Sequence, residues 1–526
     1  MGGGAVSIST NLARHTVRQL IELGVEDVVL SPGSRNAPLS IALHQAEERG
    51  LIRLHVRIDE RGAAFFALGI SKATGNYVPV VCTSGTAVAN FYPAVLEAHH
   101  SNVNLLLLTA DRPARLRKTG SNQTTEQNDI FKGFVRNSID TAAPIDLTRV
   151  LSATGPVHIN LQFDEPLLPT DSKDWLSGIS PVILKPVPLP HSELKIETSK
   201  NIVIVGHDRA GFSESDIENL ARSLNAPIIS EDPLRFKDAI AHASILLSSE
   251  KARTTLAPEL AIVIGRTTLS RNINTYIESA ARVIVIDPRA SQIDTERSAD
   301  EILHSLPKVA APKQDESWRK LWSDFEAKVK SVLVDYPSWS EGAIASIVAA
   351  DLENDTALFI SSSRPIRDIE AFATPRADLA TYANRGLAGI DGNISTALGI
   401  ATRHDETFAI LGDLAFLHDI SALANPTDDA LTILVVDNNG GGIFSTLPQR
   451  GVPGFEKLFG TPHNQDIAKI VSGFGISNEV VTNAKELQIA LKRIHPKIHV
   501  IIAKMPSREE NALALESVIS KYSMSL

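Results

Sequence analysis

Four times in the first part of the chain, up to Pro113, a short apolar run stops at a polar turn, and strand, polar turn and helix repeat four times. Val25–Leu30 ends in Ser31-Pro32-Gly33-Ser34-Arg35-Asn36, and His55–Ile58 in Asp59-Glu60-Arg61-Gly62. Pro79–Cys82 ends in Thr83-Ser84-Gly85-Thr86, and Leu105–Leu108 in Thr109-Ala110-Asp111-Arg112-Pro113. Runs this short, bounded by turn formers, are buried strands, and their alternation with helices is the rhythm of a doubly wound parallel sheet. Such a sheet puts every strand's carboxyl end on one edge, and ligands of open α/β sheets collect there. The polar turns are therefore expected to share that edge.

The pattern returns near the other end of the chain. Thr407–Leu411 leads into Gly412-Asp413-Leu414, and Leu431–Val436 into Asp437-Asn438-Asn439-Gly440-Gly441-Gly442. Asp413 offers a carboxylate and Asn438 an amide oxygen, while the glycines let backbone groups approach a ligand. These are hard oxygen donors of the kind Mg²⁺ takes beside phosphates, so the pattern asks for a metal-bound diphosphate.

Between the two regions lies a third α/β stretch. The prolines Pro181, Pro186, Pro188 and Pro190 read as an extended linker, after which Ile202–Val205, Ala261–Ile264 and Val283–Ile286 supply strands. Polar and charged sequence from about 308 to 340 closes it. The expected division is a domain at 1–180, a central one at 192–335 and a last one at 341–526. Gly206 to Gly211 follows a strand, but it lacks the Gly-x-Gly-x-x-Gly spacing that brings backbone onto a pyrophosphate. Arg266 and Arg289, each just past a strand end, are candidates for an anion site that takes a regulatory metabolite.

Bulk properties narrow the function. A chain of 526 residues is too long for one core. Its net charge of −10 is unlike the basic surface that nucleic-acid binding needs. Cys82 is the single cysteine, which fits a reducing compartment. No apolar run approaches the ~20 residues of a membrane span, and the first residues do not read as a secretion signal. A cytoplasmic enzyme is expected.

Asp413 and Asn438, each closing a strand, resemble the thiamine-diphosphate fingerprint. In it the Asp, the second Asn and a carbonyl two residues on hold Mg²⁺ or Mn²⁺. Carried over, the metal ligands are Asp413, Asn438 and the Gly440 carbonyl; Leu414 stands where that fingerprint often has Gly. This chemistry also needs an acid against the cofactor's aminopyrimidine, to promote the tautomer that deprotonates the thiazolium. Glu60, after a strand and ahead of an Ala-rich helix, fits that place.

The motifs quoted above occur together with Asn122-Gln123 and Asn384-Arg385-Gly386-Leu387-Ala388-Gly389-Ile390-Asp391-Gly392. In that company the chain resembles the 2-succinyl-5-enolpyruvyl-6-hydroxy-3-cyclohexene-1-carboxylate synthases of menaquinone biosynthesis. The likeness covers both outer domains by motif and the central domain by length and rhythm. It implies three thiamine-diphosphate-type α/β domains: pyrimidine-binding, central and diphosphate-binding. The implied reaction decarboxylates 2-oxoglutarate and adds the succinyl carbanion equivalent to isochorismate in a 1,4-addition. Both substrates are dicarboxylates, which suit arginine forks.

The resemblance also assigns roles. Glu60, Arg35 and Arg385 are the catalytic candidates. Cofactor contacts fall to Glu60, Ser84, Gly85, Asp391, Gly392, Asp413, Leu414, Asn438, Gly440, Gly441, Ile443 and Phe444, with Ile390 wedging the cofactor into its bent shape. Substrate contacts fall to Ser34, Arg35, Arg112, Asn122, Gln123, Ser363, Arg367 and Arg385, with Ile443, Phe444 and Leu447 as the apolar wall. Arg61 and Arg117 are read as structural or surface residues. The family's sites lie between subunits, so Glu60 and Asp413 would act from different chains of a homodimer or homotetramer. The alternatives are another thiamine-diphosphate enzyme of 2-oxo acids and a non-catalytic, anion-binding paralogue.

Overall fold

The computed structural model describes residues 7–182, 193–289, 299–310, 315–425 and 427–526. Pro186, Pro188 and Pro190 of the expected linker lie outside them, and Pro181 is exposed coil. Compactness divides the chain into two units. The first is Met1–Pro186 with Gly386–Asp405 and Phe416–Asp429; the second is Val187–Arg385 with Glu406–Ala415 and Ala430–Leu526.

The first unit is built on strands β1 (Asp27–Leu30), β2 (Arg53–Val56), β3 (Val78–Cys82), β4 (Leu105–Asp111), β5 (Ser138–Thr141) and β6 (Val157–Gln162). Their order is β2-β1-β3-β4-β6-β5, and all pairs are parallel. β1, β3 and β4 are buried at every position, as strands covered by helices on both faces must be. β4 runs three residues further than its apolar stretch predicts. Its polar end is held inside by partners: Thr109 Oγ1 lies 2.8 Å from His158 Nε2 and donates to Asn160 Oδ1 at 2.9 Å. Asp111 meets Arg117 at 2.9 Å and accepts from Asn160 Nδ2 at 3.0 Å.

The second unit carries a small pair, β7 (Glu193–Lys195) with β13 (Lys308–Ala310), and two larger sheets. β8 (Asn201–Val205), β9 (Ile228–Ser230), β10 (Leu260–Ile264), β11 (Arg282–Ile286) and β12 (Glu301–Leu303) are ordered β12-β11-β10-β8-β9. β14 (Ala357–Ile360), β15 (Ala380–Tyr382), β16 (Thr407–Gly412), β17 (Leu431–Asp437), β18 (Ser477–Val481) and β19 (His499–Lys504) are ordered β15-β14-β16-β17-β19-β18. Every pairing is again parallel.

The charged stretch after 308 carries an amphipathic helix. Glu316–Leu333 forms a helix that buries Trp318, Trp322, Phe325 and Val329, and Trp318 Nε1 donates to the Asn201 carbonyl at 2.8 Å. These side chains belong to one continuous core with Ile202 and Val263 of one sheet and Leu358 and Ile410 of the other. That shared core is why the central and last sheets fall in a single unit.

Within the first unit, the helix Glu60–Thr74 packs closely on the helix Asn393–Ala401. A Cβ at Gly69 would lie 2.1 Å from the Thr396 carbonyl oxygen and 3.1 Å from Gly399 Cα. Gly69→Val must push two backbones apart, and overpacking of this kind costs about 1–3 kcal/mol. A urea melt should show a lower midpoint for Gly69→Val. Gly473→Ala, with nothing near its added carbon, should leave the midpoint unchanged.

Candidate active site

The pairing of β16 with β17 sets Gly412 opposite Val436, so the residues that follow emerge side by side at the carboxyl edge. Asp413 is buried there, its Oδ1 accepting from Leu414 N at 2.6 Å and its Oδ2 from Gly440 N at 2.8 Å. Asn438 donates through Nδ2 to Glu341 Oε1 at 2.6 Å, and its Oδ1 is buried without a hydrogen-bond partner. Gly442 makes that rotamer possible, because a Cβ there would lie 2.4 Å from Asn438 Nδ2. The Gly440 carbonyl accepts from Gly442 N at 2.9 Å and keeps a second lone pair. The three expected metal ligands thus sit on one strand edge as oxygen donors, and the buried Asn438 oxygen has no hydrogen-bond partner to compete for it. The set fits Mg²⁺ or Mn²⁺.

Two neighbours of this edge carry no local sequence signal. His463 Nε2 stands 3.3 Å from Asp413 Oδ2 and 3.6 Å from Asp437 Oδ1. The hydrogen bond to Asp413 raises its pKa, partly opposed by burial. Glu341, in the first turn of the helix Glu341–Asp351, is the other. Arg364 Nε holds its Oε2 at 3.1 Å, which leaves Oε1 for Asn438. A carboxylate can only accept, so it turns the amide nitrogen of Asn438 toward itself and the oxygen away. Arg364 also pairs with Asp368, whose carboxyl is pushed up to about 7 by burial against the pull of Arg364. Leu414 is half-buried, as are Ile443, Phe444 and Leu447 after the glycines, and Phe444 rests against Phe459 with ring centres 5.5 Å apart.

In the first unit the turns after β1, β3 and β4 meet at the carboxyl edge of its sheet. Arg112 Nη1 donates to Ser84 Oγ at 2.9 Å and to the Gln123 carbonyl at 2.7 Å, while Gln123 Nε2 returns to the Ser84 carbonyl at 2.9 Å. Arg35 Nη1 donates to the Phe163 carbonyl at 3.1 Å and lies 3.5 Å from Glu165. Burial, and then the charge of Arg35, lower the pKa of Arg112. The two guanidinium groups are thus near enough to repel each other. Ser34 lies in the same turn as Arg35, Gly85 follows Ser84 at φ +85°, and Asn122 is exposed beside Gln123.

Glu60 opens the helix Glu60–Thr74 behind its N-cap Asp59 and is half-buried, near enough to Cys82 to raise that thiol's pKa after burial has done so. Glu97 holds the turn that contains Ile390, accepting from Gly386 N at 2.7 Å and Leu387 N at 2.8 Å. Ile390 and Leu387 are exposed apolar residues on that turn, followed by half-buried Asp391 and buried Gly392. Arg61 is spent on the His418 carbonyl at 2.9 Å and Arg117 on Asp140 at 2.8 Å, so both are structural.

The remaining candidates lie in the second unit. Arg385 is buried and donates to Thr268 Oγ1 at 3.0 Å. Arg367 donates to the Ser363 carbonyl at 2.8 Å, and burial followed by the charge of Arg364 lowers its pKa. Arg289 corrects an expectation. Its Nε and Nη2 meet Asp287 at 2.8 and 2.7 Å and its Nη1 meets Asp208 at 2.7 Å, while Arg266 Nη2 donates to the Arg385 carbonyl at 2.6 Å. A guanidinium bound by two carboxylates is not a preformed anion site.

The comparisons fit this arrangement. The family model for the thiamine pyrophosphate enzyme N-terminal TPP binding domain matches residues 10–132, and that for the C-terminal TPP binding domain matches 370–503. A 2-succinyl-5-enolpyruvyl-6-hydroxy-3-cyclohexene-1-carboxylate synthase of Thermobifida fusca is 37% identical over 92% of this chain and 94% of its own. The chain belongs to that synthase family. Synthases of the same name from Saccharopolyspora erythraea and Geobacillus kaustophilus are 35% and 36% identical, the first over 94% of this chain and 95% of its own, the second over 94% of each.

In this member of the family, Glu341→Gln tests how the Asn438 amide is set. The new amide would present its oxygen to Arg364 and its nitrogen to Asn438, turning the Asn438 oxygen away from the cation. Calorimetric titration with thiamine diphosphate present should show Mg²⁺ binding weakened roughly 10–100-fold. An affinity close to wild type would mean that Glu341 does not orient the ligand.

Proposed function

We propose that the protein is a thiamine-diphosphate-dependent transferase that decarboxylates 2-oxoglutarate and joins the succinyl unit to isochorismate. The product is 2-succinyl-5-enolpyruvyl-6-hydroxy-3-cyclohexene-1-carboxylate, a menaquinone precursor. The observation that carries the reading is the pair of strand-end edges, one bearing Asp413 and Asn438, the other Arg35 and Arg112, in a chain of this family. When bound, thiamine diphosphate supplies the electron sink that decarboxylation and carbon–carbon bond formation need. Asp413, Asn438 and the Gly440 carbonyl would hold its Mg²⁺ or Mn²⁺, with Leu414 and Gly441 beside them.

The chain's own groups have distinct tasks. Glu60 would hold a proton at its carboxyl for the aminopyrimidine nitrogen. Ser84 and Gly85 on the turn after β3, and Ile390, Asp391 and Gly392 on theirs, would contact the cofactor. Arg35 and Arg112 bind carboxylate groups, assisted by Ser34, Asn122 and Gln123, while Arg385 and Arg367 offer a second cationic group beside the Ser363 hydroxyl. Ile443, Phe444 and Leu447 keep water from the reacting centre. Fixed charges in a dry cleft stabilise the developing negative charge without reorganising at the moment of reaction.

Glu60 and Asp413 act on one cofactor from different subunits of a homodimer or a dimer of dimers, in the cytoplasm. No helix among the described residues is long and apolar enough to cross a membrane. The family's between-subunit site supports the oligomer, and the lone buried Cys82 supports the compartment.

The direct assay follows isochorismate loss by the purified protein with thiamine diphosphate, Mg²⁺ and 2-oxoglutarate. Loss should require the oxo acid and fall about 10²–10⁴-fold in Glu60→Gln. Consumption of pyruvate in place of 2-oxoglutarate would make it a different oxo-acid enzyme. No cofactor-dependent turnover with any oxo acid would make it a binding protein.

A further inference from the structure

The amino-terminal end of the sheet in the second unit carries a group of side chains that the proposed reaction does not use. β19 begins at His499, which is paired with Thr432 near the start of β17 and with Ser477 at the start of β18. Asp413 and Asn438 lie past the other end of these strands, roughly 20 Å away at the rise of a strand. At the His499 end, Glu479 of β18 and His495 of the preceding loop come together with His499. One ligand atom from each lies within 4.8 Å of the others.

His495 Nε2 is buried without a hydrogen-bond partner, and Glu479 Oε1 and His499 Nε2 are buried with only each other, 3.4 Å apart. His499 is 4% exposed. A buried polar group with poor hydrogen bonding is costly, so a cluster of them calls for an explanation.

The outer contacts are those of a ligand set. His499 Nδ1 lies 2.8 Å from Ser477 Oγ, a hydroxyl that can accept its hydrogen and so leave Nε2 to bind an ion. Arg493 Nη1 holds Glu479 Oε2 at 2.7 Å and so leaves Oε1 as the free oxygen. The two imidazoles stack with centres 3.6 Å apart and planes 6° from parallel.

We propose that Glu479, His495 and His499 form a second metal site, for a late first-row divalent cation such as Zn²⁺, at the end of the sheet opposite the cofactor. Two imidazoles and one carboxylate oxygen suit Zn²⁺, Co²⁺ or Ni²⁺ and not Mg²⁺, and a water completes four-coordination. For both Nε2 lone pairs to meet one ion, the two rings must rotate out of their parallel stack. The ion then ties the edge strand β18 and the 492–498 loop to β19, a role in stability and not in the reaction.

One other group among the described residues could take such an ion, Asp413 with Asp437 and His463. The test therefore uses the full-length, untagged, chelator-stripped Asp413→Ala chain as background. Zn²⁺ titration by calorimetry should give one site per chain, and Zn²⁺ should raise the melting temperature. Adding His495→Gln or Glu479→Gln should each weaken binding at least about tenfold and remove the thermal shift. In the otherwise native enzyme both substitutions should leave thiamine-diphosphate-dependent turnover unchanged. Absence of a Zn²⁺ site in the Asp413→Ala chain, or an affinity unaltered by His495→Gln and Glu479→Gln, would overturn the proposal.

Discussion

A hydrogen bond from the Gly440 amide to Asp413 Oδ2, at 2.8 Å, joins the turns after β16 and β17. It exists because those strands run parallel and in register, Gly412 beside Val436, so that two turns distant in sequence leave the sheet together. Everything else at this edge depends on that register. A slip of one residue would turn Asp413 to the other face, and the unsatisfied Asn438 oxygen would no longer share an edge with a carboxylate and a carbonyl. The same logic assembles the arginine edge of the first unit, where the turns after β1, β3 and β4 bring Arg35 near Arg112.

The legible part of the site is the part that lies in these turns. Gly-Asp and Asn-Asn-Gly after apolar runs announce both a strand's end and a ligand's approach, since the same residues serve turn and chemistry. Glu60 is legible for the same reason, standing between a strand and an Ala-rich helix. Glu341 was not. It lies 97 residues from Asn438, and the sequence around it reads only as the start of a domain. A side chain that orients another across the fold leaves no local pattern, and His463 beside Asp413 is hidden in the same way.

Arg289 shows the opposite failure. An arginine just past a strand end looks the same as Arg35, yet two carboxylates hold its guanidinium, one of them on Asp287 two residues before it. Acidic neighbours that can curl back onto an arginine are the signal that separates a structural fork from a binding one. The polar end of β4 carries a related lesson. Thr109 and Asp111 read as turn residues, but partners on β6 and beyond let them stay inside the sheet. Boundary reading by polarity fails where polar side chains have buried partners. The merging of the central and last sheets is equally non-local, because it rests on tryptophans of a helix that reads as charged.

The Asp413 edge is the proposed place for the cation that would fasten the cofactor's diphosphate. Calorimetric binding of thiamine diphosphate, with and without Mg²⁺, to wild type and Asp413→Ala measures this directly. Wild type should bind tightly only with Mg²⁺, and Asp413→Ala should bind weakly whether or not the metal is present. Undiminished Mg²⁺-dependent binding by Asp413→Ala would place the cofactor's metal elsewhere and contradict the account.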